Sequence, residues 1–181
     1  MEEERLEVAT FAGGCFWCTE AVFQRVRGVE EVKSGFTGGL IKNPAYREVI
    51  TGRTGHAEAV EIHFNPKLVS FEELLLIFFA THDPTTLNRQ QNDVGTQYRS
   101  GIFYHSLTQK EIAERVVAKL EKEKLFSAPI VTEITEAGPF FTAEAEHHNY
   151  YNLHRTQPYC QVIIDPKVQK LKERFSKMLR S

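Results

Sequence analysis

Apolar positions recur along this chain at two spacings, and the switches between them mark out the elements. Alternation over residues 5–11 predicts a strand, and a helical segment over 16–26 follows it directly. Strands over 29–36 and 56–64 come next, the latter with the alternating string AEAVEIHF. Helical spacing returns over 70–80, where Ser70 and Glu73 stand three apart as a capping box requires, and over 108–124. Residues 99–104 and 130–136 read as further strands, and 142–154 and 166–179 as helices. Because strand-to-strand steps occur beside strand-to-helix steps, the pattern predicts an α+β two-layer sandwich rather than a doubly wound sheet.

Two stretches interrupt the pattern. Residues 37–55 (TGGLIKNPAYREVITGRTG) are glycine-rich and contain the turn signal Asn43-Pro44. Residues 82–100 (HDPTTLNRQQNDVGTQYRS) are polar and nearly devoid of aliphatic side chains. Loops this long in a compact domain usually serve a site.

A length of 181 residues with 41% hydrophobic and 25% charged side chains fits one domain, 1–181, able to bury a proper core. The net charge of −2, with both signs interspersed, leaves no basic stripe for a phosphate backbone, so nucleic acid is not an expected partner. The apolar run LLLIFFA is too short to span a bilayer, and the acidic opening MEEERLEVAT lacks the pattern of a signal peptide. The expectation is a cytoplasmic monomer with no membrane association. An odd count of three cysteines suits redox or metal chemistry better than a disulfide framework.

Cys15 and Cys18 lie in GGCFWCTE, between the first strand and the first helix. Free N–H groups and the positive end of the helix dipole favour an anion there, which biases Cys15 towards the nucleophilic thiolate. Gly13 and Gly14 permit a sharp turn before it, and Cys18 has the spacing of a redox pair. Other groups could assist a thiol. Glu58 is either a solvated edge carboxylate or, if it faces an apolar pocket, an acid of raised pKa able to donate a proton near neutrality. Tyr46 and Tyr98, one in each irregular stretch, are packing pieces or hydroxyl donors. Asp93 either stabilises its own turn or supports the site.

The strings GGCFWCTE, NPAYREVITGRTGHAE, HDPTTLNRQQNDVGTQYRS and FTAEAEHHNYY resemble, in order, the signature segments of the A-type peptide methionine sulfoxide reductases. The resemblance runs from about Val8 to Lys167. It implies a ferredoxin-like two-layer α/β sandwich with a mixed sheet and additional C-terminal helices. It also implies reduction of methionine S-sulfoxide, free or in proteins, without cofactor or metal. In this reading Cys15 attacks the sulfoxide sulfur and becomes a sulfenic acid. Glu58 is the acid, Tyr46 and Tyr98 hold the oxygen, Phe16 and Trp17 wall the S-methyl pocket, and Asp93 belongs to the supporting network. His147 and Tyr150 match a further segment, in a packing or substrate-contact role.

The sequence departs from its relatives at several points. Gln91 stands where a glycine is usual, His148 replaces a glutamine, and the glycine-rich tail with two recycling cysteines found in many members is absent. The resolving thiol is therefore either Cys18, placed locally, or Cys160, in the apolar and strand-like TQPYCQVIIDP. A Cys15–Cys18 disulfide reduced by thioredoxin or another dithiol is the favoured expectation. Two other classes share features of the chain. A general thiol–disulfide oxidoreductase also uses Cys-x-x-C at a helix start, and a zinc module could combine Cys15, Cys18 and Cys160 with a histidine, though it lacks a second close ligand pair.

Overall fold

The computed structural model describes residues 5–180. Strand β1 (Glu7–Gly13) runs into helix α1 (Phe16–Phe23), and β2 (Val29–Thr37) and β3 (Ala57–Phe64) follow, separated by the single turn α2 (Tyr46–Val49). Helix α3 (Phe71–Thr81) leads into a miniature hairpin, β4 (Arg89–Gln90) and β5 (Asp93–Val94), and then β6 (Ser100–Tyr104). The long helix α4 (Leu107–Lys122), strands β7 (Glu133–Glu136) and β8 (Phe140–Thr142), the short α5 (Tyr150–Leu153), a π-helical turn at Cys160–Ile164 and α6 (Asp165–Phe175) complete the chain.

Six strands form one mixed sheet in the order β7-β6-β1-β3-β2-β8, antiparallel except for the β6–β7 pair. The strand period of two separates its faces. Ala9 and Phe11 of β1, Val60, Ile62 and Phe64 of β3 and Ile102 of β6 meet Phe23, Leu74, Phe78 and Val116 from α1, α3 and α4 in one buried cluster. On the opposite face Ala12, Ala57 and Ala59 gather with Phe103 in a smaller one. The α+β expectation holds. Among the described residues no helix is long and apolar enough to cross a membrane.

Local chemistry set the better-read boundaries. The Ser70 hydroxyl accepts from the Glu73 N–H (3.1 Å) while the Glu73 carboxylate accepts from the Ser70 N–H (3.0 Å), closing the expected capping box. Ser106 caps α4 by accepting from the Gln109 N–H.

Four expectations need correction. The helix predicted over 142–154 is broken, because Asn149 takes a left-handed φ of 57° and leaves only a 3₁₀ turn before α5. The strand-like surroundings of Cys160 are the π-helical turn, and α6 continues from it to Phe175 rather than to 179. The strand read over 130–136 begins only at Glu133. The stretches 37–55 and 82–100 are not structureless: they hold α2, the β4–β5 hairpin and a 3₁₀ turn at Thr96–Tyr98.

The hairpin turns at Gln91, whose φ of 53° lies in the region that costs an L side chain roughly 1–2 kcal/mol. Gln91→Gly should therefore raise the unfolding free energy by about 0.5–1 kcal/mol after the added chain entropy of glycine. The shift is a rise of about 1–4 °C in melting temperature by circular dichroism. A lower melting temperature would contradict this account of the turn.

Candidate active site

The site begins at the β1–α1 junction. Gly14 has a φ of +92°, and a Cβ there would lie 2.6 Å from the Gln90 Cγ, so the chain can turn this tightly only without a side chain. Gln90 is fixed in turn by a pair of hydrogen bonds with the Asp83 backbone, 2.7 and 2.9 Å. The turn delivers Cys15 as the N-terminal cap of α1, with 7% of its surface exposed.

The first free amide of the helix, on Phe16, donates to the Glu58 Oε1 at 3.1 Å. Glu58 lies on β3, an interior strand paired with β1 and β2, and is 1% exposed. The solvated-edge alternative is thereby overturned. Its Oε2 is buried without a hydrogen-bond partner among the described residues. Burial above all, and then the charges of Asp93 and Cys18, push the carboxyl up to about 8 against the opposing Phe16 N–H and the Cys15 thiol. Glu58 is thus held as a neutral acid at pH 7.

The expectation of a Cys15 thiolate does not hold in the free protein. Burial raises this thiol well above its ordinary range, followed by its hydrogen bond with Cys18 and the Glu58 charge, and only the Trp17 N–H opposes them. The helix start gives its first donor to Glu58 instead. Cys18 goes the other way, down to about 7, through the Cys15 hydrogen bond first, with the Lys167 charge and the Tyr159 hydroxyl adding to it against burial.

Tyr46 opens α2, its N–H donating to Glu144 at 2.9 Å. Tyr98 closes the 3₁₀ turn at Thr96–Tyr98. The two irregular stretches are stitched together, because the Gln97 side chain donates to the Ile50 carbonyl (3.1 Å) and the Thr96 hydroxyl to that of Gly52 (3.5 Å). Both phenols are pushed far above their ordinary range by burial and then by the Glu58 charge, with Cys15 and Asp93 adding to it, so they remain O–H donors. That mutual influence brings Cys15, Glu58, Tyr46, Tyr98 and Asp93 into one electrostatic group.

Aromatic rings line it. Phe16 is 6.1 Å from Tyr46 and 5.6 Å from His147, and Trp17 stacks on Tyr150 at 3.8 Å with 7° between the planes. The Trp17 indole N–H donates to the His147 Nδ1 (3.3 Å), which leaves the proton of a neutral imidazole on Nε2, 3.5 Å from Glu144. His147 and Tyr150 therefore pack the aromatic wall.

The residues predicted from sequence largely converge, and two participants were overlooked. The Tyr159 hydroxyl donates to the Asp93 Oδ2 at 2.9 Å and lies 3.6 Å from the Cys18 sulfur, so Asp93 does more than hold its own turn. Its place beside Cys160 was the available signal. Glu144, which accepts from the Tyr46 amide and lies beside His147, carried none. Cys160 is fully buried in the same apolar cluster as Cys15 and Cys18, its thiol raised by burial. Among the described residues the one group spaced to hold a metal is Glu144, Glu146 and His147, without a cysteine, so nothing supports the zinc module.

The family model for peptide methionine sulfoxide reductase matches residues 7–179. The chain belongs to this family. A peptide methionine sulfoxide reductase MsrA from Sulfolobus acidocaldarius is 55% identical to it, over 94% of this chain and 96% of the relative. Among solved structures, Mxr1 from Saccharomyces cerevisiae in reduced form is similar with a TM-score of 0.81 and 30% identity, covering 88% of this chain and 91% of Mxr1. Methionine sulfoxide reductase A of Corynebacterium diphtheriae gives 0.75 and 36%, covering 86% and 78%. The matched span 7–179 takes in every element that builds the site.

If burial sets the Glu58 proton, its carboxyl carbon shift in glutamate-labelled protein should titrate near pH 8 rather than near 4.5. A midpoint below 6 would remove the neutral acid from the site.

Proposed function

We propose that this protein reduces methionine S-sulfoxide, free or in oxidised proteins, using Cys15 as nucleophile and Glu58 as acid. The observation that carries the reading is the Glu58 carboxyl, buried on an interior strand and bonded to the amide next to Cys15. Cys15 attacks the sulfoxide sulfur while its oxygen takes a proton from Glu58 and is steadied by the Tyr46 and Tyr98 hydroxyls. The thiol proton of Cys15 restores Glu58, and the protonated oxygen takes a further proton and leaves the methionine sulfur as water. That water attacks the Cys15 sulfur, breaking the S–S bond so that methionine departs, a proton is returned and Cys15 is left as a sulfenic acid. Phe16 and Trp17 offer an apolar wall to the S-methyl group, backed by His147 and Tyr150.

Cys18 is proposed as the resolving thiol. It lies one turn from Cys15 and its ionisation is eased to about 7, whereas burial holds the Cys160 thiol protonated. Cys18 displaces hydroxide from the sulfenic acid, which leaves as water, and the disulfide is then reduced by thioredoxin or another dithiol. Three free thiols suit a reducing compartment such as the cytoplasm. The strand order β6-β1-β3-β2, with α1 and α3 as the two crossovers, supports a ferredoxin-like sandwich, and a family match over 7–179 supports a single domain.

Incubation with one equivalent of stereochemically pure S-sulfoxide without reductant should release one methionine and give a Cys15–Cys18 bridge on peptide mapping. Preference for the R-epimer, or faster exchange with protein disulfides than sulfoxide reduction, would sink the reading. Cys15→Ser should abolish methionine release.

Glu58→Gln should slow single-turnover methionine release by roughly 10²–10⁴-fold. The sign for stability is opposite. A carboxyl with a folded pKa near 8 and an unfolded one near 4.5 supports folding below pH 4.5 and loses that support as pH rises to 8. The same variant should therefore melt higher than the parent at pH 8, by a margin of order 2 kcal/mol or more. In the parent, methionine release should decline as pH rises through 8.

A further inference from the structure

Lys167 is a buried cation without a carboxylate. It projects from α6 with 9% of its surface exposed, and among the described residues no Asp or Glu oxygen lies within ion-pair distance of it. A lysine is rarely buried unless something accepts its charge. It lines a void of about 10 Å³ together with Cys18, Thr19, Thr81 and His82, with room for at most one water.

Two of the other polar groups at this void, Thr81 and His82, are already committed. The Thr81 hydroxyl donates to the Ile77 carbonyl at 2.8 Å. The His82 Nδ1–H donates to the Phe78 carbonyl (2.5 Å) and its Nε2 accepts from the Ser100 hydroxyl (2.8 Å), while burial pushes its pKa down to about 3. That imidazole is neutral with both nitrogens used. Lys167, Thr81 and His82 also line an adjoining cleft of about 670 Å³, where the one carboxylate, Asp83, accepts from the Thr85 N–H and hydroxyl. The group left at the void that can become an anion is the Cys18 thiol.

We propose that Lys167 is a positioning residue for the resolving step, its ammonium stabilising the Cys18 thiolate across the void that the two side chains share. The inference rests on the reading of Cys18 as resolving thiol and adds the charge that makes it competent. Charged and titratable groups face Cys18 from every element around it: Cys15 at the α1 cap, Glu58 on β3, Asp93 on β5, Tyr159 and Cys160 at the π-helical turn, His82 after α3, and Lys167 on α6. Lys167 is the one lysine or arginine among them. Glu58 is neutral at pH 7, Tyr159 stays protonated, and Asp93 opposes the thiolate. In the step itself, the Cys18 sulfur attacks the Cys15 sulfur, the S–O bond breaks, hydroxide leaves and becomes water with one proton, and a disulfide forms.

The experiment follows one turnover in the full chain, quenched at intervals, with methionine, sulfenic acid and disulfide resolved by mass. Lys167→Met should leave methionine release unchanged and move the pH midpoint of disulfide formation up by about one unit. Below pH 6.5 that step should slow about threefold, because a more basic sulfur is also more nucleophilic and offsets part of a tenfold loss of thiolate. Lys167→Arg should restore the parent midpoint, and Lys167→Gln should repeat the Met result should Met prove poorly folded. An unchanged midpoint in either neutral variant beside a mapped Cys15–Cys18 bridge overturns the role of Lys167 alone. A Cys15–Cys160 bridge in the parent overturns Cys18 as resolver, and Lys167 with it.

Discussion

The hydrogen bond from the Phe16 amide to Glu58 ties together everything the site uses. It joins the first turn of α1 to an interior strand, so the cap position of Cys15 is set against the sheet rather than left to a loop. It consumes the first free donor of the helix start, and burial is the largest influence on the neighbouring thiol. A carboxyl in this position is costly when ionised, and the fold answers by keeping it protonated. The proposed acid is thus available at neutral pH because of where the sheet places it.

The two cysteines, alike in spelling, are opposites in environment. Cys15 is surrounded by groups that penalise a negative charge, whereas Cys18 has the Cys15 thiol, a tyrosine hydroxyl and a lysine arranged to accept one. A reaction in two thiol steps fits that asymmetry: the first needs a proton delivered to oxygen, the second needs an anion already formed. Placing both in one turn of helix lets a single structural unit serve opposite electrostatic demands.

Much of this was legible from residue order. The β1–α1–β2–β3 run, the Ser70 capping box and the length of α4 follow from periodicity and capping, and the Gly13-Gly14 turn announced the reactive cap. The overlooked parts share a physical cause. Strands of two or three residues such as β4, β5 and β8 are too short to show alternation, and the break at Asn149 depends on one dihedral angle. Whether Glu58 was edge or interior depended on strand order, which no local pattern encodes. Tyr159 reaches Asp93 across 66 positions of sequence, and Lys167 looks like any surface lysine of an amphipathic helix until α6 packs against α1.

Trp17 is the one tryptophan of the chain, and in the helical turn that separates the two cysteines its indole stacks on Tyr150 and donates its N–H to His147. Half-buried, that indole has one side against protein and its polar edge on a hydrogen-bond partner. The protein therefore carries its one indole chromophore at the seat of the proposed chemistry, packed against the cluster that holds both thiols.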